Sequence, residues 1–220
     1  MMKCAVIVFP GSNCDHDAYY VIKKHLGINV DFVWHQNTDL KDYDCIIIPG
    51  GFSYGDYLRA GAIARFSNIM NAIRVASEKG KPIIGICNGF QILVESNLLP
   101  GALITNYSTR FISKHIKLKV SNNNSLFTNK YDNNQIISMP IAHKQGNYFV
   151  DDNLLQKLKD NNQIAFRYKD NPNGSCFDIA GVFNTQKNIL GMMPHPERAS
   201  ENILGSQDGI KIFESMVSNI

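Results

Sequence analysis

Pro82-Ile83-Ile84-Gly85-Ile86-Cys87-Asn88-Gly89-Phe90-Gln91 reads as an apolar strand that turns abruptly into a helix. The decisive part is Gly85-Ile86-Cys87-Asn88-Gly89, a Gly-x-nucleophile-x-Gly pattern at a strand-to-helix junction. Such an elbow forces its central residue into a strained backbone conformation and lifts the side chain clear of the sheet. Glycines two residues to either side let neighbouring backbone pass without Cβ clashes. A thiol placed there stands at a helix N-terminus, where the dipole and free N–H groups favour the thiolate. The Asn88 N–H would point at an oxyanion formed on anything held by Cys87. A buried structural thiol is the ordinary reading of a cysteine, and the two glycines and the junction outweigh it here.

Working outward, strands and helices alternate through the first half. Lys3 to Phe9 predicts a buried strand, and Asn13 or Asp15 can cap a helix carrying Ala18, Ile22 and Leu26 and ending at Gly27. Val30 to Trp34 and Cys45 to Ile48 predict two more strands, the latter wholly apolar as when both sheet faces are covered. Ile63, Phe66, Met70 and Ile73 trace one helical face that ends near Gly80, and Asn88 to about Ser96 is the helix after the elbow. This alternation predicts βαβ units and a largely parallel sheet. From about Leu103 the pattern changes. Phe111 to Val120, Ile136 to Ile141, Ala165 to Tyr168 and Asp178 to Phe183 predict strands with little helix between them, a mixed or antiparallel extension of the same sheet. Asp208 to Val217 predicts a closing helix. The expected class is α/β, a flavodoxin-like sheet flanked by helices, in one domain spanning residues 1–220.

Two further motifs carry chemistry. Pro194-His195-Pro196-Glu197-Arg198 follows the apolar strand Ile189 to Met193. If the prolines keep this segment extended, His195 and Glu197 share a side. Glu197 can then orient one ring nitrogen while the other exchanges a proton with Cys87. Pro49-Gly50-Gly51-Phe52 ends the strand Cys45 to Ile48, where ligands bind in open α/β sheets. A backbone N–H there can supply a second oxyanion donor. Cys4 and Cys45 fall inside apolar strands and read as buried thiols. Cys14 and Cys176 fall in loops with no general base in evident reach.

Composition excludes several classes. The 220 residues are 44% hydrophobic and 19% charged, ordinary for a globular protein. A net charge of +3 from scattered lysines and arginines argues against nucleic acid. No apolar segment approaches the length that spans a bilayer, and the N-terminal apolar run lacks a cleavage site, so a cytoplasmic location is expected. Five cysteines at irregular spacing do not form a disulfide framework, and no metal-ligand set stands out.

Cysteine at an elbow, a Gly-Gly loop one βα unit earlier and a distal His-x-Glu resemble the class I, triad-type glutamine amidotransferases. The resemblance implies Cys87 as nucleophile, His195 as general acid/base and Glu197 as its orienter. Gly51, Phe52 and Asn88 then belong to the oxyanion and substrate region, and Gln91 matches the glutamine of Cys-x-Gly-x-Gln. The wider family usually reads Cys-Leu-Gly-His-Gln, where this chain has Cys87-Asn88-Gly89-Phe90-Gln91. Phe9 to Asp15, Pro49 to Arg59, Gly85 to Gln91 and Pro194 to Arg198 are similar to one branch, the glutaminase subunits of phosphoribosylformylglycinamidine synthase. That branch usually continues Ala-His with Gly-Glu-Gly, where Ala142-His143 is followed by Lys144-Gln145-Gly146, and His143 is a further candidate. The resemblance implies release of ammonia from glutamine through a cysteine thioester. Its implied partner is a large synthetase subunit, with a small third subunit in many organisms. ATP and magnesium are expected on the synthetase, since this chain has no Gly-x-x-x-x-Gly-Lys-Ser/Thr loop. Rival readings are an α/β cysteine peptidase or chaperone of related fold, a partner-binding subunit that has lost activity, and a glutaminase of another pathway. The peptidase leaves His195-x-Glu197 unexplained, and no triad member is missing.

Overall fold

The computed structural model describes residues 2–218, so the ends of the expected 1–220 span lie outside it. Eleven strands are found among the described residues. They are β1 (Lys3–Val8), β2 (Asn29–Trp34), β3 (Cys45–Ile48), β4 (Ile83–Ile86), β5 (Ala102–Ile104), β6 (Ile112–Val120), β7 (Ile136–His143), β8 (Asn147–Phe149), β9 (Ile164–Tyr168), β10 (Ile179–Phe183) and β11 (Ile189–Met192). The main sheet runs β2-β1-β3-β4-β11-β10-β9-β6-β7, and β5 pairs with β8 separately. From β2 to β11 neighbours are parallel, and from β11 to β7 every pairing is antiparallel. The parallel strands β3 and β4 are buried along their whole length, because helices cover both faces.

The helices are α1 (Asp15–Tyr20), α2 (Ile69–Glu78), α3 (Asn88–Glu95), α4 (Asp152–Asp160) and α5 (Ile210–Ser218). A single π turn, Val21–His25, prolongs α1. The N-cap of α1 is Cys14, which makes no side-chain cap; neither Asn13 nor Asp15 takes that position. The expected helix through Ile63 and Phe66 is broken. Ala64–Phe66 is a short 3₁₀ turn, Ser67 turns extended at ψ 146°, and α2 begins only at Ile69. Phe66 is accordingly 73% exposed instead of facing the core. Helix α4 stands where little helix was expected. The Asp151 carboxylate caps it by accepting from the Leu154 N–H at 2.7 Å, and only Leu158 is fully buried.

A second correction concerns cysteine. Cys4 and Cys45 are register partners on the adjacent parallel strands β1 and β3, Cα to Cα 4.8 Å, and they are joined as a disulfide instead of standing as separate thiols. Both are fully buried. Pairing of strands 41 residues apart is invisible in composition or spacing.

Two features of the fold build the site. Parallel strands bring the carboxyl ends of β1, β3, β4 and β11 to one edge. The alternation of directions beyond β11 makes β7 run the same way as β4, so its end reaches that edge too. Although β7 lies five places from β4 in the sheet, the His195 N–H donates to Pro140 O at 2.9 Å. The antiparallel half therefore curls back over the carboxyl edge, in the direction in which strongly twisted sheets coil.

The elbow depends on Gly89. A Cβ there would press directly against the Ile48 carbonyl of β3. Gly89→Ala is expected to destabilise the chain by about 3 kcal/mol, since backbone cannot yield as a flexible side chain would. Urea denaturation checks this; an unchanged midpoint would show that α3 can ride away from β3.

Candidate active site

Cys87 sits between β4 and α3 with φ 51° and ψ −106°, in the left-handed half of backbone space where a side chain is strained. It is nearly buried, and its Sγ lies 3.6 Å from Ala142 O of β7. Its own N–H is tied to Met192 O of β11 at 2.7 Å, which clamps the elbow to the strand leading to His195.

His195 follows β11 and is buried, as is Glu197. The two side chains meet, His195 Nδ1 to Glu197 Oε1, at 2.6 Å. The segment is extended at His195 but not beyond it, contrary to expectation. Pro196–Arg198 forms a 3₁₀ turn that brings Glu197 round to the ring. Burial disfavours the charged imidazole, but the Glu197 carboxylate, helped by the Cys87 and Cys14 thiols, raises its pKa well above the ordinary histidine value. His195 Nε2, on the other side of the ring from the bond to Glu197, makes no hydrogen bond among the described residues. Gly50 shows how closely the groups converge. A Cβ built on it would lie 2.8 Å from His195 Cε1, 3.4 Å from Cys87 Cβ and 3.2 Å from Cys14 Sγ.

Cys14 joins this cluster unexpectedly. Its Sγ receives Arg198 Nη2 at 3.1 Å and lies within 4.8 Å of ligand atoms of His195 and Glu197. Its loop shows no base in the sequence because β1 and β11 are separated by nearly the whole chain. The guanidinium beside the sulfur and the Glu197 bond on Nδ1 make this a hydrogen-bonded cluster already committed to protein partners, poorly suited to a cation.

Gly51 adopts φ 134°, and a Cβ there would meet Asn13 N and Asn13 Oδ1, each at 2.7 Å. Only glycine lets the β1 and β3 loops cross so closely. Among the described residues the N–H groups of Gly51 and Asn88 make no backbone hydrogen bond, whereas Phe52 N–H donates to Gly11 O at 2.9 Å. The Phe52 N–H is thus already engaged within the protein. Phe52 contributes a half-exposed ring to the cavity walls.

Asn88 is also the hub of a polar network. Its Oδ1 accepts from Ser53 N–H at 3.0 Å, and its Nδ2 donates to Asp56 Oδ1 at 3.1 Å and Gln91 Oε1 at 2.9 Å. Gln91 Nε2 donates in turn to Gln145 O at 2.6 Å, and Gln145 Oε1 accepts from Ala60 N–H at 3.1 Å. Gln91 therefore holds the wall of the pocket with both ends of its amide. His143 lies beside them, its Nδ1 3.1 Å from Asn106 Oδ1, and burial lowers its pKa to about 4, keeping it neutral.

A cavity of about 220 Å³ is lined by Gly51, Phe52, Asp56, Cys87, Gln91, Phe111 and residues 142–145. Burial raises the Asp56 carboxyl to about 6, opposed by the Asn88 hydrogen bond. Sequence reasoning misses Asp56, although it stands in the Pro49 to Arg59 string. Its folded pKa exceeds the unfolded value of ~3.9, so folding is penalised above pH 6 and the penalty fades as pH falls toward 4. Asp56→Asn should stabilise the chain at pH 8 by about 1 kcal/mol, discounted for partial exposure, and by almost nothing at pH 4. Equal effects at both pH values in urea denaturation would refute that origin.

A family model for the CobB/CobQ-like glutamine amidotransferase domain matches residues 1–217. Among solved structures, a chain of PurLQS from Thermotoga maritima is 45% identical, with 99% of this chain and 98% of that chain covered and a TM-score of 0.91. A glutamine amidotransferase from Thermotoga maritima is 13% identical over 99% of this chain and 97% of that one, TM-score 0.65. The glutaminase domain of Trypanosoma brucei CTPS is 15% identical over 99% and 94%, TM-score 0.63. The last two share the fold; PurLQS shares far more of the sequence.

Proposed function

The chain belongs to the CobB/CobQ-like glutamine amidotransferase family, and from that premise we propose that it is a single-domain glutaminase subunit of phosphoribosylformylglycinamidine synthase. Identity of 45% along the full chain to a component of PurLQS supports the pathway. The observation that carries the chemistry is the convergence of Cys87, on its strained elbow, and His195, of the buried His195–Glu197 pair, on Gly50 and on one pocket.

Cys87 Sγ attacks the side-chain amide carbon of glutamine. The electron pair of the carbonyl moves onto oxygen, where the free N–H groups of Gly51 and Asn88 receive it. His195 takes the thiol proton and passes it to the amide nitrogen, so that the C–N bond breaks with release of ammonia and leaves a glutamyl thioester. Water, deprotonated by His195, then attacks the thioester and frees glutamate and the thiol. Glu197 holds the ring in one tautomer and stabilises its charged form, the role that makes a raised imidazole useful.

Ammonia released into water at neutral pH would become ammonium and lose its nucleophilicity, so a receiving subunit must sit against the site. The proposed partners are a large synthetase, PurL, which supplies the site for ATP and magnesium, and a small PurS. The proposed location is the cytoplasm; no helix among the described residues is long and apolar enough to cross a membrane. The segment 52–59 is the proposed docking surface. Tyr57 and Leu58 are 74% and 89% exposed, and the loop is pinned by the bidentate Arg59–Glu95 pair at 2.6 and 2.7 Å.

The test is mass spectrometry of the complex quenched during turnover. A glutamyl adduct on the Cys87 peptide is expected. Steady turnover with no adduct on any rapid-quench time point, or an adduct on Cys14, would overturn the assignment.

A further inference from the structure

We propose that Asp56 and Lys144 form the specificity device of this site, Asp56 holding the α-ammonium of glutamine and Lys144 its α-carboxylate. This rests on the glutaminase reading above and adds to it how the substrate is told apart from other amides.

The cavity over Cys87 must recognise more than a carboxamide, which every asparagine and glutamine side chain of a protein also offers. What distinguishes free glutamine is a zwitterion three carbon–carbon bonds from the reacting carbon, a reach of roughly 4 Å. Among the described residues lining this cavity, Asp56 and Lys144 carry opposite formal charges at neutral pH; Arg198, in the adjoining pocket, is already bound to Asp17 and Cys14. His143, the other basic group there, is kept neutral by burial.

Neither charge is satisfied by the protein. Asp56 is half-buried, yet its one side-chain partner is the neutral amide of Asn88 at 3.1 Å. The nearest arginine in sequence, Arg59, is committed to Glu95. Lys144 makes no ion pair or side-chain hydrogen bond among the described residues, and the two do not pair with each other across the cavity. A half-buried carboxylate without a cation is costly, and binding a cation is what relieves it. Burial already disfavours the Asp56 charge, and an ammonium group beside it would offset that cost.

Position agrees with charge. Asp56 is held by Asn88, the residue after the nucleophile, so its carboxylate is fixed relative to the thiol. Its backbone is left-handed at φ 54°, within a loop where Tyr54, Gly55 and Leu58 are left-handed as well. Aspartate tolerates that conformation better than most residues, and the loop spends strain to turn this side chain inward. Lys144 lines the same cavity from the segment after β7, beside Gln145, whose carbonyl and amide tie that segment to Gln91 and Ala60. The two charges thus ride on elements cross-linked to each other at the base of the cavity.

The experiment compares three substrates on the complex reconstituted with its synthetase subunits, following release of ammonia. They are glutamine, glutaramate (which lacks the α-amino group) and 4-aminobutanamide (which lacks the α-carboxylate). Asp56→Asn should raise KM for glutamine about 10- to 100-fold, the worth of a hydrogen bond to a charged group, with kcat held within a few-fold. The same variant should leave KM for glutaramate unchanged. Lys144→Gln should raise KM for glutamine less, about 3- to 10-fold because the lysine is exposed, and leave 4-aminobutanamide unchanged. If glutaramate weakens as much as glutamine in Asp56→Asn, or if neither variant moves KM for glutamine, the assignment is wrong. Lys144 lies on the surface, so its variant tests the idea independently of the Asn88 network that Asp56 belongs to. A wild-type complex that frees no ammonia from glutamine would instead sink the glutaminase reading, and that failure is seen before any variant is compared.

Discussion

Cys87→Ala is expected to lower glutamine-dependent synthesis by about 10⁶-fold, the loss met when a nucleophile that acts as one unit with its base is removed, while added ammonium salt should still drive the reaction in the reconstituted complex. The two halves of this expectation come from different observations. The first follows from geometry: Cys87 lines two pockets, one of which it shares with His195, with the Gly51 and Asn88 N–H groups making no backbone hydrogen bond among the described residues. No other group can take over. Cys14 shares the cluster, but its sulfur is engaged by Arg198 Nη2 at 3.1 Å and lies off the elbow. The second half follows from division of labour: if ammonia is made here and consumed elsewhere, ammonia supplied from outside bypasses the defect. Alanine removes a sulfur from a nearly buried position without adding bulk, and the strained φ of 51° tolerates it no worse than cysteine. Steady-state assays with each nitrogen source decide the matter. Loss of both activities together would mean that Cys87 serves the synthetase or the assembly, and the ammonia-generating role would fall.

The parts of this molecule that are legible in the sequence are those set by local rules. β3 matches its expected bounds, Cys45–Ile48, because an all-apolar run between turn residues has one reading. The elbow is legible because each of its glycines answers a specific steric demand, Gly89 against β3 most of all. The shift from parallel to antiparallel pairing can be seen where helices stop separating strands. What escapes is whatever depends on which distant segments become neighbours. The Cys4–Cys45 disulfide, the Arg198–Cys14 contact and the return of β7 over the carboxyl edge all join residues whose proximity is created by strand order and sheet coiling.

Asn88 lies between these cases. The departure from leucine at the position after Cys87 is visible in the sequence, without a reason. The structure supplies one, since the side chain of Asn88 ties Ser53 and Asp56 to the elbow. The long string from Pro49 to Arg59 and the asparagine are two halves of one hydrogen-bonded device. Phe90, the other departure, is explained by packing, its ring stacked on Tyr148 with centroids 5.8 Å apart. The 3₁₀ turn at Pro196–Arg198 teaches a related lesson. His195 and Glu197 meet as expected, but by a turn and not by shared side in an extended chain.

Glu197→Gln separates the charge of that pair from its shape. Glutamine still offers an oxygen to His195 Nδ1, so the ring keeps its tautomer, but the carboxylate that raises the imidazole is gone. Burial then acts unopposed by its strongest counterweight, and the ring should titrate at lower pH than in the wild type. At neutral pH fewer rings hold the proton that the departing nitrogen needs, and kcat should fall by about 10²- to 10⁴-fold. Two measurements check the cause as well as the size. The His195 Cε1 proton in NMR should titrate lower in the variant. In urea, the advantage of the wild type should be greatest below pH ~6.5, where the raised imidazole contributes its full stabilisation. It should shrink as pH rises through the folded-state value. A variant as slow as expected but with His195 titrating unchanged would assign Glu197 to positioning alone. Unchanged kcat would remove it from the mechanism, because a buried carboxylate 2.6 Å from the general base cannot be electrostatically silent if that base carries protons between the thiol and the departing nitrogen.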